Sequence, residues 1–193
     1  MAENKVYLLL TDTGSFFTKL IKLYTKKPYN HASISFQSNV AEAYSFGRKK
    51  MNNPFVGGFV KENLKTCFFQ QAEAVVCSLT VTDIQLHQMK QYIQEIEKEK
   101  EHYRYNFLGL LGFLFGTPIP REKALFCSQF VATVLQQAEI LDLERQPALM
   151  TPYHLLEIAE WEWLYQGRLK DYNNHGTIDK WCIPNMDLPM EWG

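Results

Sequence analysis

The chain has 193 residues, with 20 Lys and Arg against 21 Asp and Glu, a formal net charge of -1, 46% hydrophobic and 21% charged residues. That balance fits one globular domain able to bury a core without metal or disulfide staples. It excludes a disordered tail and, lacking any basic excess, makes nucleic acid a poor partner.

Val6 to Leu10 is too short for a signal-peptide core, and Thr-Asp-Thr-Gly follows instead of a small-residue cleavage site, so a cytoplasmic protein is expected. "KVYLLL" (5 to 10) reads as a buried strand, and "TDTGS" then caps a helix from about Phe16 to Thr25, which Lys26-Lys27-Pro28 ends. "HASISF" and "VAEAYSF" follow as two strands of a hairpin turning around "QSN". "GRKKMNNPFVGGFVKENL" is rich in Gly, Asn and Pro and reads as a loop with one edge strand.

"AEAVVCSLTV" (72 to 81) is a third strand, and Thr82 to Gln85 has the form of a capping box opening a long helix with Leu86, Met89, Ile93 and Ile96 on one face. "FLGLLGFLFG" (107 to 116) is a buried helix or an interfacial patch, well short of a bilayer span. Residues 127 to 141 form another helix, and Thr151-Pro152 starts a last one that runs through "YHLLEIAEWEWLY" toward Gly167. Strands early and helices late predict an α+β fold with an antiparallel sheet. One domain spans 1–193, its core at about 5–165 and an aromatic tail at 166–193. In that tail and just before it, Trp161, Trp163, Trp181 and Trp192 line a pocket or seal the core. Cysteines 67, 77, 127 and 182 have no zinc spacing, so all four are expected as thiols; neither metal nor cofactor is expected.

Two residues carry the candidate chemistry. Cys127 opens an amphipathic helix in "ALFCSQFVATVL", where the positive end of the helix dipole favours a thiolate. Of the five histidines, His87 and His102 lie on a charged helix, His154 in a first helical turn and His175 in an "NNHG" turn, whereas His31 heads an inward-looking strand. With Gln37-Ser38 at the hairpin tip, residues 31, 33 and 35 share a face with 42, 44 and 46. Glu42 then becomes a diagonal neighbour able to hold the imidazole by one nitrogen while the other faces the sulfur. Each of these residues also has a plain structural reading, the thiol and the imidazole as core packing and Glu42 as a solvated strand carboxylate.

In order along the chain, "YNHASISF", "VAEAYSFG" and "FCSQFVATVL" resemble the circularly permuted NlpC-type, papain-like amidases of the YiiX/YaeF group, whose relatives include the lecithin:retinol acyltransferases. The resemblance covers residues 5 to 165 and implies a permuted papain-like fold, the His strand preceding the Cys helix. It implies Cys127 as nucleophile, His31 as general base and Glu42 as the residue orienting the imidazole, with Tyr44 or Ser45 as substitutes for Glu42. Tyr7 on the first strand and Tyr44 are candidate substrate or oxyanion contacts, beside the backbone N–H of Cys127. The expected function is a cysteine amidase or peptidase attacking a peptide amide, γ-glutamyl or cell-wall derived. An acyltransferase or lipid hydrolase with transient membrane contact, or an inactive binding domain of the same fold, are the alternatives. The sequence leaves the oligomeric state open.

Overall fold

The computed structural model describes residues 3–12, 27–50, 53–114, 116, 117, 119, 121–140 and 146–172. The helix expected over 16–25, His175, Trp181 and Trp192 lie outside these residues.

Strand β1 (Asn4–Thr11) is buried from Val6 to Thr11 because it runs between two antiparallel neighbours, β2 (His31–Ser35) and β5 (Glu73–Val81). β3 (Glu42–Lys50) and β4 (Asn53–Asn63) extend the sheet on one side and β8 (Glu162–Arg168) on the other, giving six strands in the order β4-β3-β2-β1-β5-β8. The fold class is α+β with an antiparallel sheet, as the run of strands and then helices implies.

Helices follow the strands. A short α1 (Cys67–Gln70) precedes β5, and α2 (Asp83–Lys98) opens on the expected capping box, Thr82 Oγ1 accepting from Gln85 N–H and Gln85 Oε1 accepting from Thr82 N–H. β6 (Arg104–Tyr105) and β7 (Ala124–Leu125) form a small parallel pair flanking α3 (Phe107–Leu114). α4 (Cys127–Gln137) follows directly; a 3-10 turn (Pro147–Leu149), α5 (His154–Glu157) and α6 (Leu169–Tyr172) complete the described chain.

Alternation along the strands splits the interior in two. Leu8, Leu10, Ile34 and Phe46 face α2 and α4, meeting Met89, Ile93, Phe130 and Val134. Phe46, Phe59 and Phe130 anchor that layer with ring centroids 5.3 to 6.0 Å apart. Tyr7, Leu9, Ala43, Val76 and Leu169 make a smaller cluster on the other face.

Three expectations change. The last long helix is only α5, after which "EWLYQGR" is strand β8: its backbone pairs antiparallel with β5 as an edge strand, and the aromatic residues favour that pleated surface. Residues 166 to 172 therefore belong to β8 and α6 rather than to a tail, Trp161 seals the core with Nε1 donating to Leu155 C=O, and Trp163 is exposed. Cys67 is disulfide-bonded, so the four cysteines are not all thiols. Cys77 and Cys127 are free and buried.

Candidate active site

The sulfur of Cys127 sits at the first residue of α4. Phe126, the residue capping that helix, has no side chain able to accept from the first-turn amides. The Ser128 N–H of that first turn instead lends its dipole to the Cys127 sulfur and favours the thiolate. A second backbone donor comes from the sheet. The β2–β3 ladder is short, with Ile34 opposite Tyr44. Beyond that pair, Ala32 C=O accepts from Ser45 Oγ at 2.6 Å and Ala32 N–H favours the Cys127 thiolate, so the thiol sits where β2 and β3 part.

His31 heads β2 and hydrogen-bonds the Cys127 side chain. Its Nε2 lies 2.7 Å from Glu62 Oε1 on β4, which leaves Nδ1 for the sulfur. The His31 side chain is 12% exposed and that of Glu62 8%, so the pair is screened from water without being sealed from it. Glu62 Oε2 accepts from Ser33 Oγ at 2.5 Å. Tyr105, carried by β6, completes the circle: its hydroxyl donates to the Cys127 sulfur.

The electrostatics favour an ion pair. Burial opposes the imidazolium, but the Glu62 charge and the hydrogen bonds to Cys127 and Glu62 outweigh it and hold His31 well above its usual value, at about 10. Burial likewise opposes the thiolate. The His31 bond and charge, with the Ala32 and Ser128 N–H groups, override it and bring Cys127 below the usual thiol range. Burial and the adjacent sulfur push the Tyr105 phenol up, which keeps its proton in place as a donor. By contrast, burial alone pushes the Cys77 thiol up to about 11. The lowered thiol and the raised imidazole together favour a Cys127 thiolate beside a His31 imidazolium.

Cys127 and His31 come together as expected, and Glu42 does not join them. Val40 takes a left-handed turn at φ 42°, and the hairpin register sets Ile34 opposite Tyr44, not opposite a neighbour of Tyr44. A one-residue difference of that kind moves every side chain to the other face. Residues 31, 33 and 35 accordingly share a face with 43, 45 and 47, while Glu42 is half-exposed and pairs with Lys61 at 2.9 Å. Tyr7 is opposite Ser35, four residues along β2 from His31, about 13 Å at the rise of a strand, and packs in the smaller cluster. Tyr44 lies between Phe36 and Phe59, with centroids at 6.0 and 6.2 Å, on the face of the larger core. Ser45 contributes only by its bond to Ala32 C=O. His87 and His102 are exposed, and His154 Nδ1 accepts from Thr151 N–H.

Glu62 and Tyr105 are the members that the sequence reading missed. Glu62 reaches His31 across β3, two strand spacings or about 9.5 Å from backbone to backbone. That crossing requires small residues beneath it, and β3 supplies Ala43, Ser45 and Gly47 on that face. A Cβ on Gly47 would sit 3.6 Å from Glu62 Oε1 and 3.7 Å from His31 Cε1. Gly47→Ala should therefore keep most of the reactivity of Cys127 toward iodoacetamide, whereas the γ-carbons of Gly47→Val should part the His31–Glu62 bond and lower it by about tenfold or more. Equal rates for the two variants would remove this role for the crossing.

Among the described residues, no group of three or more His, Cys, Asp or Glu side chains could hold a metal ion. Compared with protein-family models, with curated proteins and with solved structures, the chain finds no match.

Proposed function

We propose that the protein is a cysteine hydrolase, an amidase or peptidase built on a circularly permuted papain-like fold of the NlpC type. The observation that carries this reading is the buried Cys127–His31–Glu62 line, with a helix-opening thiol, an imidazole coupled to it and a carboxylate 2.7 Å from the imidazole Nε2. The strand-borne base preceding the nucleophile helix in the chain is the permuted order.

In the reaction, the Cys127 thiolate attacks the carbonyl carbon of an amide and forms a C–S bond, the carbonyl electrons moving to oxygen. The Cys127 backbone N–H at the start of α4 and the Tyr105 hydroxyl are the candidate donors to that oxyanion. His31 gives its proton to the leaving amine as the C–N bond breaks, then takes one from the water that releases the acyl group. The amine could come from a peptide, γ-glutamyl or cell-wall derived. An acyl-transferring or lipid-hydrolysing version of the same site is favoured by one observation. Leu108 and Ile119 are exposed beside α3, whose first residue, Phe107, packs on Tyr105 with ring centroids 4.7 Å apart.

No helix among the described residues is long and apolar enough to cross a membrane. A cytoplasmic site of action stays a proposal, and the Cys67 disulfide weighs against it because such bonds persist in oxidising compartments.

The test is chemical. At pH 6 to 7, iodoacetamide should modify Cys127 at least about 100-fold faster than Cys77, given their opposite shifts. Peptide and acyl-ester libraries should then leave an acyl mass on Cys127, whose identity separates amidase from lipid chemistry. Alkylation of Cys127 no faster than a free thiol would end the enzymatic reading.

A further inference from the structure

We propose that Ser33 is a positioning residue of this site, acting on the Cys127–His31 pair through the second oxygen of Glu62. The inference rests on the reading of Cys127 as an activated thiol. Ser33 is fully buried and stands two residues beyond His31 on β2, so both side chains leave the strand on the same face. Glu62 arrives from β4 and meets both at once: Oε1 at 2.7 Å from His31 Nε2 and Oε2 at 2.5 Å from Ser33 Oγ.

A glutamate that spans a neighbouring strand has three rotatable bonds and, held only by the imidazole, could turn about them. A second bond at the other oxygen fixes the plane of the carboxylate and aims one lone pair at the ring nitrogen. Because Ser33 and His31 belong to one strand, their spacing is set by the backbone, and the carboxylate is clamped to a rigid two-point gauge. Ser33 has no bond to the sulfur. Among the described residues, the titratable groups facing the pair are Glu62 from β4 and Tyr105 from β6, so an effect of Ser33 on the thiolate must pass through Glu62.

The experiment is a four-protein cycle of wild type, Ser33→Ala, Glu62→Gln and the double variant, each verified as folded by circular dichroism. The rate of Cys127 alkylation by iodoacetamide is followed from pH 4 to 11. In the wild-type background Ser33→Ala should raise the midpoint of the acid limb by about one pH unit, roughly a tenfold loss of thiolate below it. In the Glu62→Gln background it should add almost nothing, because the group through which Ser33 acts has lost its charge and its clamp. Ser33→Thr should bring back most of the wild-type midpoint. Equal shifts in the two backgrounds, or no shift in either, overturn the proposal while leaving the thiol reading intact. A wild-type midpoint in the ordinary thiol range overturns the thiol reading itself, and the role of Ser33 with it.

Discussion

Replacing His31 by Asn should cost about 10³-fold in the acyl transfer proposed for the site, within the range that a positioned acid-base group contributes. Asn fills similar space and can hydrogen-bond, but it cannot store the proton. The sign for the sulfur follows from the forces on it. Burial raises the thiol, and the His31 bond and charge are the first influences that bring it down. Without the imidazole, burial is opposed by the two backbone N–H groups and the Tyr105 hydroxyl alone, and the thiolate midpoint should climb toward the ordinary 9.0. The wild-type alkylation rate should rise through a depressed acid limb, and turnover should fall again as His31 loses its proton near pH 10. The variant should show one late rise and no plateau. A variant with the wild-type acid limb would mean that His31 and Cys127 do not share a proton.

The second large effect separates two glutamates twenty residues apart. Glu62→Gln should lower turnover by about 10²-fold and narrow the active pH range from both sides. Losing the Glu62 charge removes the largest influence favouring the imidazolium, so the His31 midpoint falls and the alkaline limb moves down. A weaker imidazolium stabilises the thiolate less, so the acid limb moves up. Glu42→Gln should leave turnover within about twofold, since its partner is the half-exposed Lys61 and such surface pairs contribute at most about 1 kcal/mol. Pre-steady-state acylation across the pH range measures both. The reverse order of effects would restore Glu42 to the site and remove Glu62.

The contrast shows how far the sequence could be read. Cys127 and His31 were legible because each signal is local: a thiol at a helix start, and a histidine at the head of an apolar alternating strand. The Thr82 cap and the β1 and β5 strands were legible for the same reason. Glu42 lost its place through one residue of register, which the turn at Val40 decides and residue types do not announce. Glu62 was hidden because its segment read as a loop with one edge strand of no fixed register, the Gly57-Gly58 pair being poor strand formers; that edge strand is β4. The structure gives those glycines a reason. A Cβ at Gly57 would fall 2.7 Å from Tyr105 Cβ, and one at Gly58 2.6 Å from Tyr103 C=O. The residues that disguised the strand are what let β6 lie against it, and β6 brings the Tyr105 hydroxyl to the sulfur. The mistaken last helix has a different cause: "EWEWLY" satisfies a helical pattern locally, and its pairing partner, β5, lies some eighty residues earlier.

The amide of Ala32 belongs to β2 by position and to Cys127 by bonding. A sheet would ordinarily spend that N–H on the next strand, so the sulfur here takes the place of a strand acceptor as well as the role proposed for it. In the reaction proposed above, each cycle would pass through a stage in which this acceptor is changed: an acylated sulfur is a thioester, uncharged and a weaker acceptor than a thiolate. On that proposal the seam between β2 and β3 would loosen on acylation and tighten on release, making the sheet itself a register of whether the thiol is loaded.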